Sequence, residues 1–435
     1  KENKKSVGFK FYKFNSKWQY IYKIFKEIMN KTIYQENYKN IFSKSELKKE
    51  YDLCEKSAKI LRDEIINSKI LALNIVEQNN DFAEFTKLSE MAQAYKKIIV
   101  LGVGGSSLGA KTMCSLKFQS KLEFIESIDP ISIENQVKKI DFRNSFFLVI
   151  SKSGETIETI CQTLIIIDEF KHQKIKNFAE QFIFITENKP SSLFKIATKI
   201  KAKIAFHPNE IGGRFSCFSI VGLLPALIAG VDIAKIRLGA NQILQEFLNN
   251  DKIIFSSALL LKLYKSGFIN NVIMPYIDDF KNFTDWYRQL WAESLGKNSF
   301  GSTPINSMGT VDQHSQLQLY LDGNRDKFFT FIISGNYKND FKIKDLPDCE
   351  TLFGGKKLSQ ILTIEHQTTI EVLNEKKLPI RIFEIDNVDE VVMGGLMMQM
   401  FLETILVAKA NKINPYDQPA VEFRKEMAKN ILKNF

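Results

Sequence analysis

Val149-Ile-Ser-Lys-Ser-Gly-Glu-Thr-Ile-Glu-Thr-Ile160 is where the architecture of this chain becomes legible. Phe146 to Ile150 is an unbroken apolar run, the pattern of a strand covered on both faces. Beyond it, Ile157, Ile160, Cys161, Leu164 and Ile165 recur at helical spacing. The turn between strand and helix carries hydroxyls at Ser151, Ser153, Thr156 and Thr159, a glycine at Gly154 and an ammonium at Lys152. A helix beginning here aims unpaired N–H groups and the positive end of its dipole at the turn. Hydroxyls and N–H groups so arranged either cap the helix or receive a phosphate dianion. One or two hydroxyls suffice for a cap, and four are present.

Working outward, Lys96 to Ala110 (KKIIVLGVGGSSLGA) forms a second strand, Ile98 to Leu101, followed by a tight turn at Gly102, Gly104 and Gly105. It resembles a dinucleotide fingerprint, a weak signal alone, and Asp129 stands near the spacing of a ribose-binding acid. Phe182 to Thr186 is a further strand. Strands alternating with helices specify a doubly wound, mostly parallel sheet. Val272–Tyr276, Phe328–Ser334 and Arg381–Ile385 supply strands of a second such unit, with helices over Phe280–Lys297 and Val388–Lys409. Residues 1–95 are expected to be mostly helical, including Glu46–Asn67 and Asp81–Tyr95.

Bulk properties narrow the class. The 435 residues are 44% hydrophobic and 25% charged, ordinary for a globular chain with several domains. Sixty basic against fifty acidic residues give +10, a mild field that suits an anionic metabolite and is too dilute for a nucleic-acid surface. Five scattered cysteines, odd in number and with no metal spacing, point to free thiols in a reducing cytoplasm. The apolar run Ile220–Val231 is shorter than the ~20 residues of a membrane span, and Gln399 and Glu403 interrupt the longer helix. Aromatics and lysines interleave over Phe9–Trp18, unlike a signal peptide. A soluble intracellular protein is expected.

Other groups stand out by position. Ile211-Gly-Gly-Arg-Phe-Ser216 presents Arg214 on a glycine turn, as a loop arginine or a ligand contact. Gln289 and Glu293 are helical neighbours among tryptophans. His314, one of four histidines, stands beside Asp312, Gln313 and Gln318, which could orient its ring. Asp417-Gln-Pro-Ala-Val-Glu-Phe-Arg-Lys425 opens a final helix with Pro419 in its first turn.

Six motifs in order, GVGGSSLG at 102–109, SKSGETIET at 151–159, GGRFS at 212–216, QLWAESLGK at 289–297, GTVDQHSQLQL at 309–319 and QPAVEFRK at 418–425, resemble the glucose-6-phosphate isomerase (phosphoglucose isomerase) family. Departures are Ala420 for a common Gly, Arg424 for a small residue, Leu295 for Asn and Ser153 for Thr.

The resemblance implies two sugar-isomerase (SIS-type) α/β domains, 96–234 and 235–410, after the 1–95 segment. A C-terminal helix within 411–435 would complete the site. It implies the interconversion of glucose 6-phosphate and fructose 6-phosphate through a cis-enediolate, in glycolysis and gluconeogenesis, without cofactor or metal. By the same resemblance Glu293 is the base, Arg214 steadies the enediolate, and His314 and Lys425 open the ring. Gly105, Ser106, Gln289 and Gln418 would hold the sugar. Ser151, Ser153, Thr156 and Thr159 would hold the phosphate, with Lys152 contributing structure or field and Glu158 pairing nearby cations. The family is a homodimer with shared active sites, so His314 would serve the neighbouring subunit. Nucleic acid and membrane are not expected partners. A non-catalytic sugar-phosphate sensor or a nucleotide-dependent oxidoreductase are the rival classes.

Overall fold

The computed structural model describes residues 32–118, 120–337 and 339–434. Residues 34–435 cluster as one compact unit, and the other unit, 1–33, lies almost wholly outside the described residues. The signal-peptide reading of Phe9–Trp18 and the start of the 1–95 segment therefore lie outside them too.

Among the described residues, ten strands form two five-stranded sheets. The first holds β2 (Lys97–Leu101), β3 (Leu122–Ile125), β4 (Ser145–Ile150), β5 (Phe182–Thr186) and β6 (Lys203–Phe206) in the order β3-β2-β4-β5-β6. All its pairings are parallel, with β2 against β4 in register from Lys97↔Ser145 to Leu101↔Val149. Every residue of β4 and β5 is buried, which is why both are continuous apolar runs. Phe147, Phe170 and Phe182 fill the core on one face, with ring centroids 4.9–5.6 Å apart.

The second sheet runs β1-β10-β9-β7-β8, from β1 (Tyr34–Lys39), β7 (Asn270–Pro275), β8 (Thr303–Asn306), β9 (Lys327–Ser334) and β10 (Ile380–Ile385). Its pairings are parallel except that β1 lies antiparallel on β10. This departs from the mostly helical reading of residues 1–95 at one stretch. Helices do cover Lys44–Ile66 and Phe82–Gln93, but Tyr34–Lys39 is a strand of the second sheet. Its inward side chains are not aliphatic. Tyr34 donates to Gln399 (2.6 Å), and Glu36 accepts from Nε of the buried Arg381 (2.6 Å). Arg381 in turn makes paired bonds to the fully buried Glu403, at 3.0 and 2.5 Å. Tyr34-x-Glu36 carries no hydrophobic alternation to read, because these two polar groups are satisfied by partners more than 340 residues away.

Among the described residues, the helix Glu390–Ala410 is long and apolar enough to cross a membrane, and it is buried inside the protein. Its Glu403 and Gln399 belong to the network just described. All five cysteines are free thiols.

Candidate active site

In the first sheet the chain leaves β2 to one side for β3 and to the other for β4. The C-terminal ends of β2 and β4 therefore bound a topological switch point, where open α/β sheets bind ligands. Both motif-bearing turns lie there.

The turn after β4 settles how its hydroxyls are used. The helix Ile157–His172 begins after Thr156, whose side chain makes no capping bond. Its hydroxyl instead lies 2.8 Å from that of the buried Ser151. Thr159 Oγ1 is buried with no partner among the described residues, and exposed Ser153 accepts from Glu155 N at 3.2 Å. The hydroxyls thus leave the first N–H groups of the helix unpaired, as an anion site requires. Gly154 has φ +64°, and a Cβ there would come within 2.1 Å of Ser191 Oγ. Charges are turned away from the turn. Glu155 accepts from Ser192 N and Oγ (2.8 and 2.9 Å), and Lys152 Nζ lies 3.4 Å from Glu187. Lys152 also anchors the turn through its carbonyl, which accepts from Glu187 N. Glu158 makes no ion pair among the described residues.

The turn after β2 meets the Arg214 turn. A Cβ on Gly105 would lie 2.4 Å from the carbonyl carbon of Gly213, so only glycine permits this approach. Ser216 Oγ donates to the Gly105 carbonyl (3.0 Å). Ser106 is half-buried beside them. Asp129 caps the helix Pro130–Val137 through Ser132 N (2.8 Å), which accounts for it without a ribose.

Arg214 is the hub. It is buried, and its Nε donates to Ser294 Oγ (2.8 Å), its Nη1 faces Glu293 (3.4 Å), and its Nη2 donates to the carbonyls of Pro415 and Asp417. Burial pulls its pKa below the usual value, with Glu293 opposing, and a guanidinium stays charged in proteins. Glu293 and Gln289 lie one turn apart on the helix Lys281–Leu295, and Gln289 Nε2 donates to the other Glu293 oxygen (3.0 Å). Gln289 also abuts the first turn, since a Cβ on Gly104 would lie 3.0 Å from its Nε2. Gly105, Arg214, Gln289 and Glu293 are thereby brought together from three separate motifs.

Three expected residues are not drawn into that hub. His314 is exposed, and no hydrogen bond or ion pair among the described residues holds its ring. Asp312, expected to orient it, binds Met308 N and Ser315 Oγ (both 2.6 Å), and Gln313 binds Glu365 and Thr369 (both 3.0 Å). This corrects the ring-orienting reading: both side chains are committed to their own loop and the helix Leu358–Glu375. Lys425 and Gln418 both contact Glu422, at 2.7 and 3.4 Å, in or just before the exposed last helix, Pro419–Asn434. Sequence reasoning passed over Ser294 and Lys297, which flank the glutamate and were visible in QLWAESLGK.

Two doubly wound sheets, with a hydroxyl-lined turn at the switch point of the first, place the chain in the sugar-isomerase class of folds. Residues 76–435 match the phosphoglucose isomerase family model. The probable glucose-6-phosphate isomerase of Methanococcus maripaludis is 34% identical over 392 residues, 87% of each chain. The glucose-6-phosphate isomerase of Methanocaldococcus jannaschii is 35% identical over 346 residues, 78% of this chain and 85% of that one. A solved structure of a hypothetical protein from Thermus thermophilus superposes with a TM-score of 0.82 at 25% identity, covering 92% of this chain and 100% of that one. This chain belongs to the phosphoglucose isomerase family.

Proposed function

We propose that the protein interconverts glucose 6-phosphate and fructose 6-phosphate, a step of glycolysis and gluconeogenesis, in the cytoplasm. The observation that carries this reading is the half-buried Glu293 carboxylate, held between the Arg214 guanidinium and the Gln289 amide beside the Gly104–Gly105 turn. Glu293 removes the C2 proton of the open-chain sugar and returns it at C1. General-base catalysis of this kind contributes ~10²–10⁴-fold. Arg214, already fixed and desolvated, stabilises the negative oxygens of the cis-enediolate. The phosphate rests on Ser151, Ser153, Thr156 and Thr159 and the N–H groups behind them, and Gly105, Ser106, Gln289 and Gln418 hold the sugar. Both substrates share one oxidation level, so the net chemistry is proton transfer and calls for no redox cofactor, and the proposed proton transfer by Glu293 beside Arg214 requires no metal.

Ring opening falls to Lys425 and to His314 of a second copy in a homodimer. The exposed, unheld His314 ring supports that assignment, being available to a neighbour. Neither nucleic acid nor membrane is a proposed partner.

A coupled assay on fructose 6-phosphate after EDTA treatment tests the activity, and no turnover by folded protein would leave the sensor reading. Mixing His314→Ala with Glu293→Gln subunits tests the shared site. Random pairing makes about half the dimers mixed, each with one intact site, so roughly a quarter of wild-type activity should return if sites act independently. No recovery after verified subunit exchange rejects sharing.

A further inference from the structure

We propose that Lys297 is a positioning residue for this reaction, fixing the segment 414–417 so that Gln418 and Lys425 meet the substrate beside Arg214 and Glu293; the inference rests on the isomerase reading above. Lys297 follows the helix that carries Glu293, and its side chain is 11% exposed. Its Nζ bonds the Asn414 carbonyl (2.5 Å) and Asp417 Oδ1 (2.7 Å). Arg214 holds the carbonyls of Pro415 and Asp417 from the opposite motif. Three of the four residues in this segment, Asn414, Pro415 and Asp417, are thus gripped by two cations, one from each α/β unit. The segment is also tied internally, Asn414 Nδ2 to Asp417 Oδ2 (3.1 Å) and Tyr416 N to Asn414 Oδ1 (3.0 Å). The Tyr416 ring packs 5.5 Å from that of Phe215, next to Arg214.

The last helix makes the grip consequential. Pro419–Asn434 has no buried residue, so its place relative to Arg214 and Glu293 is set by the backbone that leads into it. A surface ion pair would be dispensable. Lys297 differs because its side chain is largely packed against the protein and its ammonium makes a charge-assisted bond to a carbonyl as well as a carboxylate. Sub-ångström placement of reacting groups governs turnover much more than binding. The phosphate turn draws on a different stretch of the first sheet, so its affinity should not depend on Lys297.

The test compares wild type, Lys297→Met and Lys297→Arg. Lys297→Met should lose roughly tenfold or more in kcat and keep its inhibition constant for inorganic phosphate within about twofold. Amide hydrogen exchange over 415–430 should quicken, while exchange over 146–172 stays unchanged. Lys297→Arg should regain most of the turnover. Unchanged kcat and unchanged exchange in folded Lys297→Met would overturn the proposal. So would a loss spread equally over kcat, phosphate affinity and exchange throughout the chain, which marks a general structural role. If wild type itself has no isomerase activity the functional reading fails, and exchange over 415–430 in Lys297→Met then decides the positioning claim by itself.

Discussion

Set side by side, the first sheet, β3-β2-β4-β5-β6, and the second, β8-β7-β9-β10-β1, share one chain order over four positions, the unit's second, first, third and fourth strand, and part only at the fifth position. What each unit offers a ligand differs. In the first, the strand ends release into turns of backbone N–H and neutral hydroxyl, at Gly104–Ser106 and Ser151–Thr156. In the second, the chain after β7 enters a helix that carries Gln289, Glu293 and Ser294 on its later turns. One topology therefore carries a hydroxyl-lined turn in one copy and, in the other, the carboxylate proposed above as the base, which is why function has to be argued from sites and not from the fold. The fifth strands differ too. β6 is parallel and ends just before His207, whereas β1 comes from far earlier in the chain, runs antiparallel, and is fastened by the buried Glu36–Arg381–Glu403 cluster.

The strongest way to break this division is Glu293→Gln, which keeps shape and removes basicity. Turnover should fall ~10²–10⁴-fold with phosphate inhibition unchanged, and solvent deuterium should no longer enter C2 of glucose 6-phosphate. Normal deuterium exchange in this variant would take the reacting group out of the second unit.

Arg381→Ala probes the fastening of β1. Glu403, with no exposed surface, would keep a charge whose remaining partners are Ser256 (2.7 Å) and Gln399 (2.6 Å). Breaking a buried pair in this way costs about 3–5 kcal/mol, to be read from denaturant unfolding. Adding Glu403→Gln should recover part of the loss. If the single variant unfolds like wild type, β1 is held by its backbone ladder alone.

A smaller effect is expected at the first unit's turn. Ser153→Ala with Thr156→Ala should raise KM for the sugar phosphates by roughly 10–100-fold, the loss of two solvent-accessible hydroxyl bonds at about 1 kcal/mol each. The melting temperature and kcat should barely move. Were the hydroxyls helix caps, stability would instead drop by about 1 kcal/mol and KM would hold.

Much of this was legible in the chain itself. The central strands β2, β4, β5, β7, β9 and β10 are apolar runs because both faces are covered, and the site motifs carry glycines and hydroxyls that no core position needs. The strands that escaped notice, β1, β3, β6 and β8, lie at sheet edges, and each has exposed or half-exposed positions among its four to six residues. Thr303-Pro-Ile-Asn306 and Lys203-Ile-Ala-Phe206 contain too few buried side chains to show a period. The grip on 414–417 was invisible for a different reason: Arg214 binds carbonyls of Pro415 and Asp417, and backbone acceptors leave no mark on the choice of residue.

The smallest effect concerns how the fifth strand of the first sheet is clasped. His207, buried at the end of β6, donates Nε2–H to the Ile211 carbonyl (3.0 Å), and its Nδ1 lies 3.3 Å from Ser219 Oγ. It thereby holds the loop that leads into Gly212–Arg214. Burial lowers its pKa to about 4, helped by Lys152 and opposed by the Ile211 bond, Glu187 and Glu210. An unfolded histidine titrates near ~6.5. Between those values the unfolded chain takes up a proton that the folded chain refuses, so stability must fall as pH drops from about 6.5 towards 4. At pH 5.5 the loss is about 1 kcal/mol, and above pH 7.5 it vanishes. His207→Gln keeps a donor and cannot titrate, so unfolding free energy measured from pH 7.5 to 4.5 should slope less steeply than in wild type. His366, in the helix Leu358–Glu375 against the second sheet, is likewise lowered by burial, and His366→Gln provides the matching measurement for that unit. A His207→Gln slope identical to wild type would show that the clasp on the Arg214 turn does not depend on a neutral imidazole, and the two fifth strands would then differ in geometry alone.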